Sequence, residues 1–479
     1  MIKFGSCLFQ QKRNADESRR GINETYILKY LHFILGIALF FGIRQFEITA
    51  FDSSALGLAL WMVYWWITQP VPLYLTALLP IAVGVPFALI PNDILAQSYG
   101  NQMIFLFLGG FILALGIEKW KLHEQIAFSI LRLFGRSPQR IIGGFMVSTA
   151  LLSMWISNTA TALMMLPIAM SVIQAIPRFR EKRLFSIGLL LSIAFSANIG
   201  GTATLIGTPP NIQMAGILEQ EFGMSISFFE WFLIGTPFML IMLLITFFTV
   251  RFYFIKNAKF EMGAIEPRKL DPNQKRVLYL FLTVVGLWMG RTLLNDYMSI
   301  VINDTVIALS GAILLFVLPS TEKRPLLIWE DLTQLPWGIL FLFGGGMALA
   351  AILAEANIVS FLVDVMKPLA GFPIFILLLV IFTVALFATE LMSNLALVSL
   401  LIPLIAKFAL ELDLPLLGIS AGVALSASCA FMLPVATPPN AIIYSSNMIK
   451  IKEMVKYGFL LNLIASLVVT CVIYVLFFI

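Results

Sequence analysis

Ser157-Asn158-Thr159-Ala160-Thr161 places a cluster of hydrogen-bonding side chains inside a run, Ile141 to Pro177, that contains no Lys or Arg. Hydroxyls and an amide in so apolar a segment are costly unless something binds them. The arrangement returns 236 positions later as Ser393-Asn394-Leu395-Ala396, again in the middle of a long apolar run. Two such interruptions predict two halves of one binding site inside a membrane.

Composition sets the class. Hydrophobic residues make up 60% of the chain, charged residues 12%, and mean hydropathy is +0.94. Soluble domains carry roughly 25% charged residues, so the chain reads as an all-α polytopic membrane protein embedded in a lipid bilayer. The net charge of +5 comes largely from short basic loops, which does not argue for a nucleic-acid partner. Cys7, Cys429 and Cys471 have no metal or disulfide spacing, and His32 and His123 stand too far apart for a metal cluster. Met1 to Tyr30 is polar and basic, and the apolar run after it lacks a small-residue cleavage site. A cytoplasmic tail over residues 1–27 is therefore expected.

Apolar segments of about 20 residues lie near 28–44, 53–69, 73–90, 101–118, 184–205, 228–250, 277–293, 302–319, 336–354, 415–436 and 454–478. The span at 184–205 continues to about 218, and the one at 415–436 continues as a short helix to about 448. The long runs 141–177 and 372–410 each read as a pair of segments, preceded by the charged pieces Glu118–Arg140 and Glu355–Lys367. Basic loops alternate with acidic or uncharged ones if each pair enters and leaves on one side. That arrangement has 11 crossings and two paired segments, the N-terminus inside and the C-terminus outside.

The chain repeats itself more broadly. Phe105-Leu106-Phe107-Leu108-Gly109-Gly110 matches Phe341-Leu342-Phe343-Gly344-Gly345-Gly346 at the same spacing of 236, which Pro167 and Pro403 also keep. Gly207-Thr208-Pro209-Pro210-Asn211 matches Ala436-Thr437-Pro438-Pro439-Asn440 at a spacing of 229. On the expected topology the two glycine motifs lie on the fourth and ninth crossings, an odd number of steps apart, so the halves are inverted. Inverted repeats with interrupted helices are the usual layout of secondary transporters, with the site near the bilayer midplane.

Thr-Pro-Pro-Asn inside an apolar run is a break-and-restart signal, because proline bars a helix from continuing while Thr-Pro starts one well. A broken helix is expected to present carbonyls from its first half and amides from its second. The carbonyls suit a small hard cation; the amides and the helix dipole suit an anion. One such motif alone is more commonly a cap, a loop or an interhelical hydrogen bond. Four in the same order within two halves do not fit that reading. No Lys or Arg occurs in 184–250, 372–406 or 408–449, so a bound anion meets no basic side chain there and a co-bound cation is expected to offset its charge. Glu390, the single acid in 372–406, is either a proton carrier or a structural acid bonding nearby backbone; the second reading is favoured.

The paired Ser-Asn-Thr-type tips and Thr-Pro-Pro-Asn breaks resemble the divalent anion/sodium symporter family, over roughly residues 50–479. The resemblance implies carriers of succinate, malate and fumarate, with citrate in some members, coupled to sodium, without cofactor or catalytic residue. It also implies a homodimer in the plasma membrane with an elevator mechanism, two re-entrant hairpins and two broken helices. A scaffold domain would comprise 28–136 and 254–371, and a transport domain 137–253 and 372–479. By the same resemblance Asn158 and Thr159 would meet one carboxylate and Asn394 the other, with Leu395, Thr208, Pro209, Thr437 and Pro438 lining the site. One sodium would be held by Ser153, Ser157, Asn158 and Gly207, the other by Thr389, Met392, Asn394 and Ala436. Leu395 departs from the pattern, since dicarboxylate carriers of the family usually have Thr there. A hydroxyl bonding a carboxylate contributes about 1.5–3 kcal/mol, so its absence opens the site to citrate or another larger anion. A sodium-independent exchanger and a carrier of sulfate or arsenite remain alternatives. A membrane-embedded enzyme is disfavoured, because nucleophile, base and metal ligands do not cluster.

Overall fold

The computed structural model describes residues 27–46, 48–135, 137–176, 182–255, 269–298 and 302–479. The expected tail and Cys7 lie outside these residues, as do parts of the basic loops at Arg178–Arg183 and Arg251–Arg276. Among the described residues the chain is helical and forms no strand beyond one isolated bridge between Pro319 and Pro325.

The first half opens with α1 (Ile27–Arg44), α2 (Ser53–Thr68) and α3 (Leu73–Thr76). The expected span 73–90 is not one helix. Pro80 and Pro86 interrupt it and Pro72 and Pro91 flank it, leaving α3, a π-helical turn over Pro80–Gly84 and a bend at Ala88 in the left-handed region. Next come α4 (Asn92–Tyr99), a helix where a loop was expected, and α5 (Gln102–Lys119), capped by Asn101 accepting from Met103 N at 2.8 Å. The amphipathic α6 (Leu122–Phe134) leads into α7 (Pro138–Ser153) and α8 (Asn158–Ala175). Then follow α9 (Lys182–Gly201), α10 (Pro209–Phe222) and α11 (Phe228–Val250), the last started by a Ser227–Glu230 capping box.

The second half runs α12 (Pro272–Met298), α13 (Asp304–Val317), α14 (Trp337–Glu355), α15 (Ile358–Met366), α16 (Ile374–Ala388), α17 (Asn394–Glu411), α18 (Leu416–Ser428), α19 (Pro438–Tyr444) and α20 (Ile451–Phe478). Nine of the described helical spans are long and apolar enough to cross a membrane, and shorter apolar helices accompany them.

The repeat is visible as matched geometry. Phe107 and Phe343, equivalent residues of the two glycine motifs, meet edge to face with centroids 5.0 Å apart. Lys121 and Asn357, also equivalent, both adopt a positive φ (53° and 59°) where the chain turns into α6 and α15. The glycines of α14 admit close neighbours. A Cβ on Gly345 would collide with the backbone of Ala77, and one on Gly346 with Ser399 and Gln213.

The two halves are interleaved rather than stacked. α7 and α8 pack on α9, as α16 and α17 pack on α18. The restarted helices cross over: α10 packs against α17 and α18, and α19 packs against α8 and α9. Each half thereby completes the other.

Candidate substrate and cation site

Each tip is built the same way. At the first, α7 ends at Ser153, Met154–Ser157 turn the chain, and Ser157 caps α8 by accepting from Ala160 N at 3.2 Å. Ser153 Oγ lies 2.6 Å from Asn158 Oδ1 and 2.7 Å from the carbonyl of Ala197 on α9. At the second, Thr389 Oγ1 lies 2.8 Å from Asn394 Oδ1 and 2.9 Å from the carbonyl of Ala427 on α18. Ser153 matches Thr389, and Asn158 matches Asn394, at the repeat spacing. A hydroxyl has one proton. With both amide oxygens facing the hydroxyls, each hydroxyl meets two acceptors and can satisfy one. In that orientation of the amides each tip holds a pair of oxygens with no hydrogen between them, an arrangement that a small cation relieves.

The breaks supply further oxygens. The carbonyls of Gly207, Met392 and Ala436 receive no hydrogen bond among the described residues. Other carbonyls in the breaks are already engaged. Asn211 Nδ2 donates to Gly201 O (3.3 Å) and Thr204 O (2.8 Å); Asn440 Nδ2 donates to Ala430 O (3.0 Å) and Leu433 O (3.1 Å). The two asparagines thus stitch the breaks in equivalent ways. Thr204 Oγ1 donates to the carbonyl of Met154, fastening the first tip to the first break. Gly201 is packed so closely under Asn158 that a Cβ would overlap its amide.

The anion-facing part differs from the expectation in one respect. Thr208 and Thr437 occupy the N-cap positions of α10 and α19 in extended conformation, but neither side chain makes a capping bond. Pro209-Pro210 and Pro438-Pro439 have no amide hydrogen to give, and Asn211 N is taken by Thr208 O at 3.2 Å. The restarted helices therefore offer the dipole and threonine hydroxyls rather than a row of amides. The starts of α8 and α17 contain no proline in their first turn, so the amides at Asn158, Thr159 and Leu395 stay available. Thr159 is half-buried, whereas Leu395 is buried beside Ala396 and Leu397.

Of the residues singled out in the sequence, Ser153 and Asn158 meet at the first tip, and Thr389 and Asn394 meet at the second; Gly207 packs on Gly201, the glycine beneath Asn158. Among the described residues the Ser157 side chain makes only its cap bond, and no side-chain hydrogen bond ties Thr208, Pro209, Pro438 or Met392 to the tips. Sequence reasoning missed Asn198, whose Nδ2 donates to Thr437 Oγ1 (3.0 Å) and Ala430 O (3.1 Å), joining the two halves. The signal was present: a lone amide in the apolar run Leu184–Ile199. Glu390 is the structural acid favoured above. Its Oε1 accepts from Phe431 N (2.7 Å), Met432 N (2.8 Å) and Asn462 Nδ2 (2.7 Å), and its Oε2 accepts from Leu433 N (3.0 Å).

Residues 63–421 match the family described as Citrate transporter. A protein of Staphylococcus saprophyticus named sodium-dependent dicarboxylate transporter SdcS is 36% identical, covering 98% of this chain and 94% of that one. The protein of the same name from Staphylococcus aureus is 38% identical, covering 88% of this chain and 85% of its own length. The chain belongs to the divalent anion/sodium symporter family. Members of this family are carriers, so the protein is a multi-pass membrane transporter and not an enzyme. Among solved structures, the Alcanivorax borkumensis YdaH transporter superposes with a TM-score of 0.56 at 13% identity, covering 81% of this chain and 90% of that one. Neisseria gonorrhoeae MtrF superposes with a TM-score of 0.54 at 10% identity, covering 80% and 83%. These two likenesses concern the fold alone. Within the symporter family, the doubled hydroxyl–amide–carbonyl cluster is the feature that this chain builds into its two tips.

Proposed function

We propose that the protein is a sodium-coupled symporter of C4-dicarboxylates such as succinate, malate and fumarate. One observation carries the reading: the same hydroxyl–amide–carbonyl cluster at both tips, Ser153–Asn158–Ala197 and Thr389–Asn394–Ala427. A sodium ion at each would draw on those oxygens, with Ser157 and the Gly207 carbonyl at the first and the Met392 and Ala436 carbonyls at the second. The names of the staphylococcal relatives support both the ion and the substrate class. The anion would lie between the tips, held by Asn158, Thr159, Asn394, Thr208 and Thr437 and flanked by Pro209, Pro438 and Leu395. The bound cations offset its charge where no basic side chain does.

The remaining features are proposals of the same reading. The chain works as a homodimer in the plasma membrane, with its N-terminus in the cytoplasm and its C-terminus outside. Residues 137–253 and 372–479 move as a transport domain of two re-entrant hairpins and two broken helices. Residues 28–136 and 254–371 hold it.

Leu395 favours a second reading in which citrate is the preferred anion, since a carboxylate loses a hydroxyl partner at that position. Labelled succinate uptake into proteoliposomes, with and without an inward sodium gradient and with citrate as competitor, separates these readings. Sodium-dependent succinate uptake is expected. Uptake driven only by internal dicarboxylate makes the protein an exchanger, and accumulation of citrate alone makes it a tricarboxylate carrier. Leu395→Thr is expected to raise the preference for succinate over citrate about tenfold, the value of one good hydrogen bond. An unchanged ratio removes residue 395 from the anion site.

A further inference from the structure

Asn198 sits on α9 with 1% of its surface exposed, and its amide nitrogen has two acceptors, Ala430 O at 3.1 Å and Thr437 Oγ1 at 3.0 Å. A carbonyl can only accept, so the contact with Ala430 fixes which end of the amide is nitrogen. The second hydrogen of that nitrogen then goes to Thr437, and Thr437 Oγ1 is an acceptor in this bond. Its own proton must point elsewhere. No acceptor among the described residues receives it, and the residue is only 4% exposed. Nor is the hydroxyl spent on capping α19. A buried hydroxyl proton without a partner is costly, and Thr437 lies on the face already assigned to the anion.

The first half has no such device. Thr208, the equivalent of Thr437, receives no side-chain hydrogen bond among the described residues. At the spacing of 229 that relates Thr208 to Thr437, Asn198 corresponds to Ala427, which has no polar side chain. The asymmetry coincides with the other departure from the repeat, Leu395 in place of the threonine that the first tip has at Thr159. On the second side, Thr437 supplies the remaining threonine hydroxyl of the anion site.

We propose that Asn198 is a positioning residue: it turns the Thr437 hydroxyl into an obligate donor aimed at a carboxylate of the transported anion, in compensation for the hydroxyl missing at Leu395. This rests on the substrate site proposed above. It assigns to one half-site a fixed donor and to the other, at Thr208, a free rotor.

The test is a double-mutant cycle on the full chain in proteoliposomes, with labelled succinate and labelled citrate, comparing wild type, Asn198→Ala, Thr437→Val and the double variant. Asn198→Ala is expected to raise the KM for the transported anion about tenfold, with the maximal rate and the sodium half-saturation changed less than twofold. In the Thr437→Val background the same change should add less than twofold. Asn198→Ser has one proton for two acceptors and should give a rise of about threefold; it replaces Asn198→Ala in the cycle if that variant does not insert. A KM within twofold of wild type in the Asn198 variant overturns the proposal. So does a rise that persists undiminished in the Thr437→Val background, which marks a structural role. A wild-type protein that carries neither anion overturns the proposed function, and this inference with it.

Discussion

Gly201 shows how little room the cation chemistry leaves. It lies beneath the Asn158 amide, and any side chain there displaces the oxygen that faces Ser153. Gly201→Ala is expected to weaken sodium activation of uptake by tenfold or more, while the protein still inserts and remains folded in detergent. Wild-type sodium dependence in that variant would show that the Ser153–Asn158 cluster is not the ion site. The matching place in the second half is Ala430, whose carbonyl is instead held by two asparagine amides. The two tips therefore set equivalent hydroxyl–amide pairs, Ser153–Asn158 and Thr389–Asn394, on different supports.

The two broken helices are held open by different means. In the second, Glu390 gathers the amides of Phe431, Met432 and Leu433 together with Asn462, so one carboxylate holds the turn between α18 and α19. The first half has Met154 at the equivalent position, and its carbonyl accepts from Thr204. Charge-assisted bonds to a buried acid are strong, and removing the acid leaves buried donors unpaired. Glu390→Ala should therefore cost at least about 3 kcal/mol, read as a lowered thermal unfolding midpoint in detergent. Glu390→Gln should destabilise less and keep sodium-driven uptake. Loss of ion coupling in a well-folded Glu390→Gln protein would instead identify the acid as a proton carrier.

At the scale of the molecule, α5 meets the first break closely. A Cβ on Gly110 would stand 3.5 Å from the Cβ of Ile206, within the range of a disulfide. The proposed elevator places these residues on opposite sides of a moving boundary. In a background free of native cysteines, Gly110→Cys with Ile206→Cys should cross-link on oxidation and stop uptake, and reduction should restore it. Full cross-linking with normal uptake would mean that this contact does not slide, and the division into scaffold and transport domains would have to be redrawn. A second contact of the same kind joins Trp155 of the first tip to Phe228 and Phe228 to Trp288 of α12, as a stack with centroids 5.9 and 4.6 Å apart.

Much of this protein was legible without coordinates. Its membrane class, its interrupted helices and its doubled motifs follow from hydropathy, from proline's missing donor and from spacing, all of which act between near neighbours. The breaks at Thr208-Pro209 and Thr437-Pro438 fall where those rules put them. The broken third span and the helix at Asn92–Tyr99 were not read, because prolines spaced a turn or two apart admit several local structures. What the threonine hydroxyls do was not legible either: they stand at N-cap positions yet cap nothing. Only the tertiary structure decided that α19 crosses onto α8 and α9, that Asn198 reaches Thr437, and that Glu390 holds a turn some 40 residues away. Those contacts join residues far apart in the chain, and packing against a common core settles them where local preference is silent.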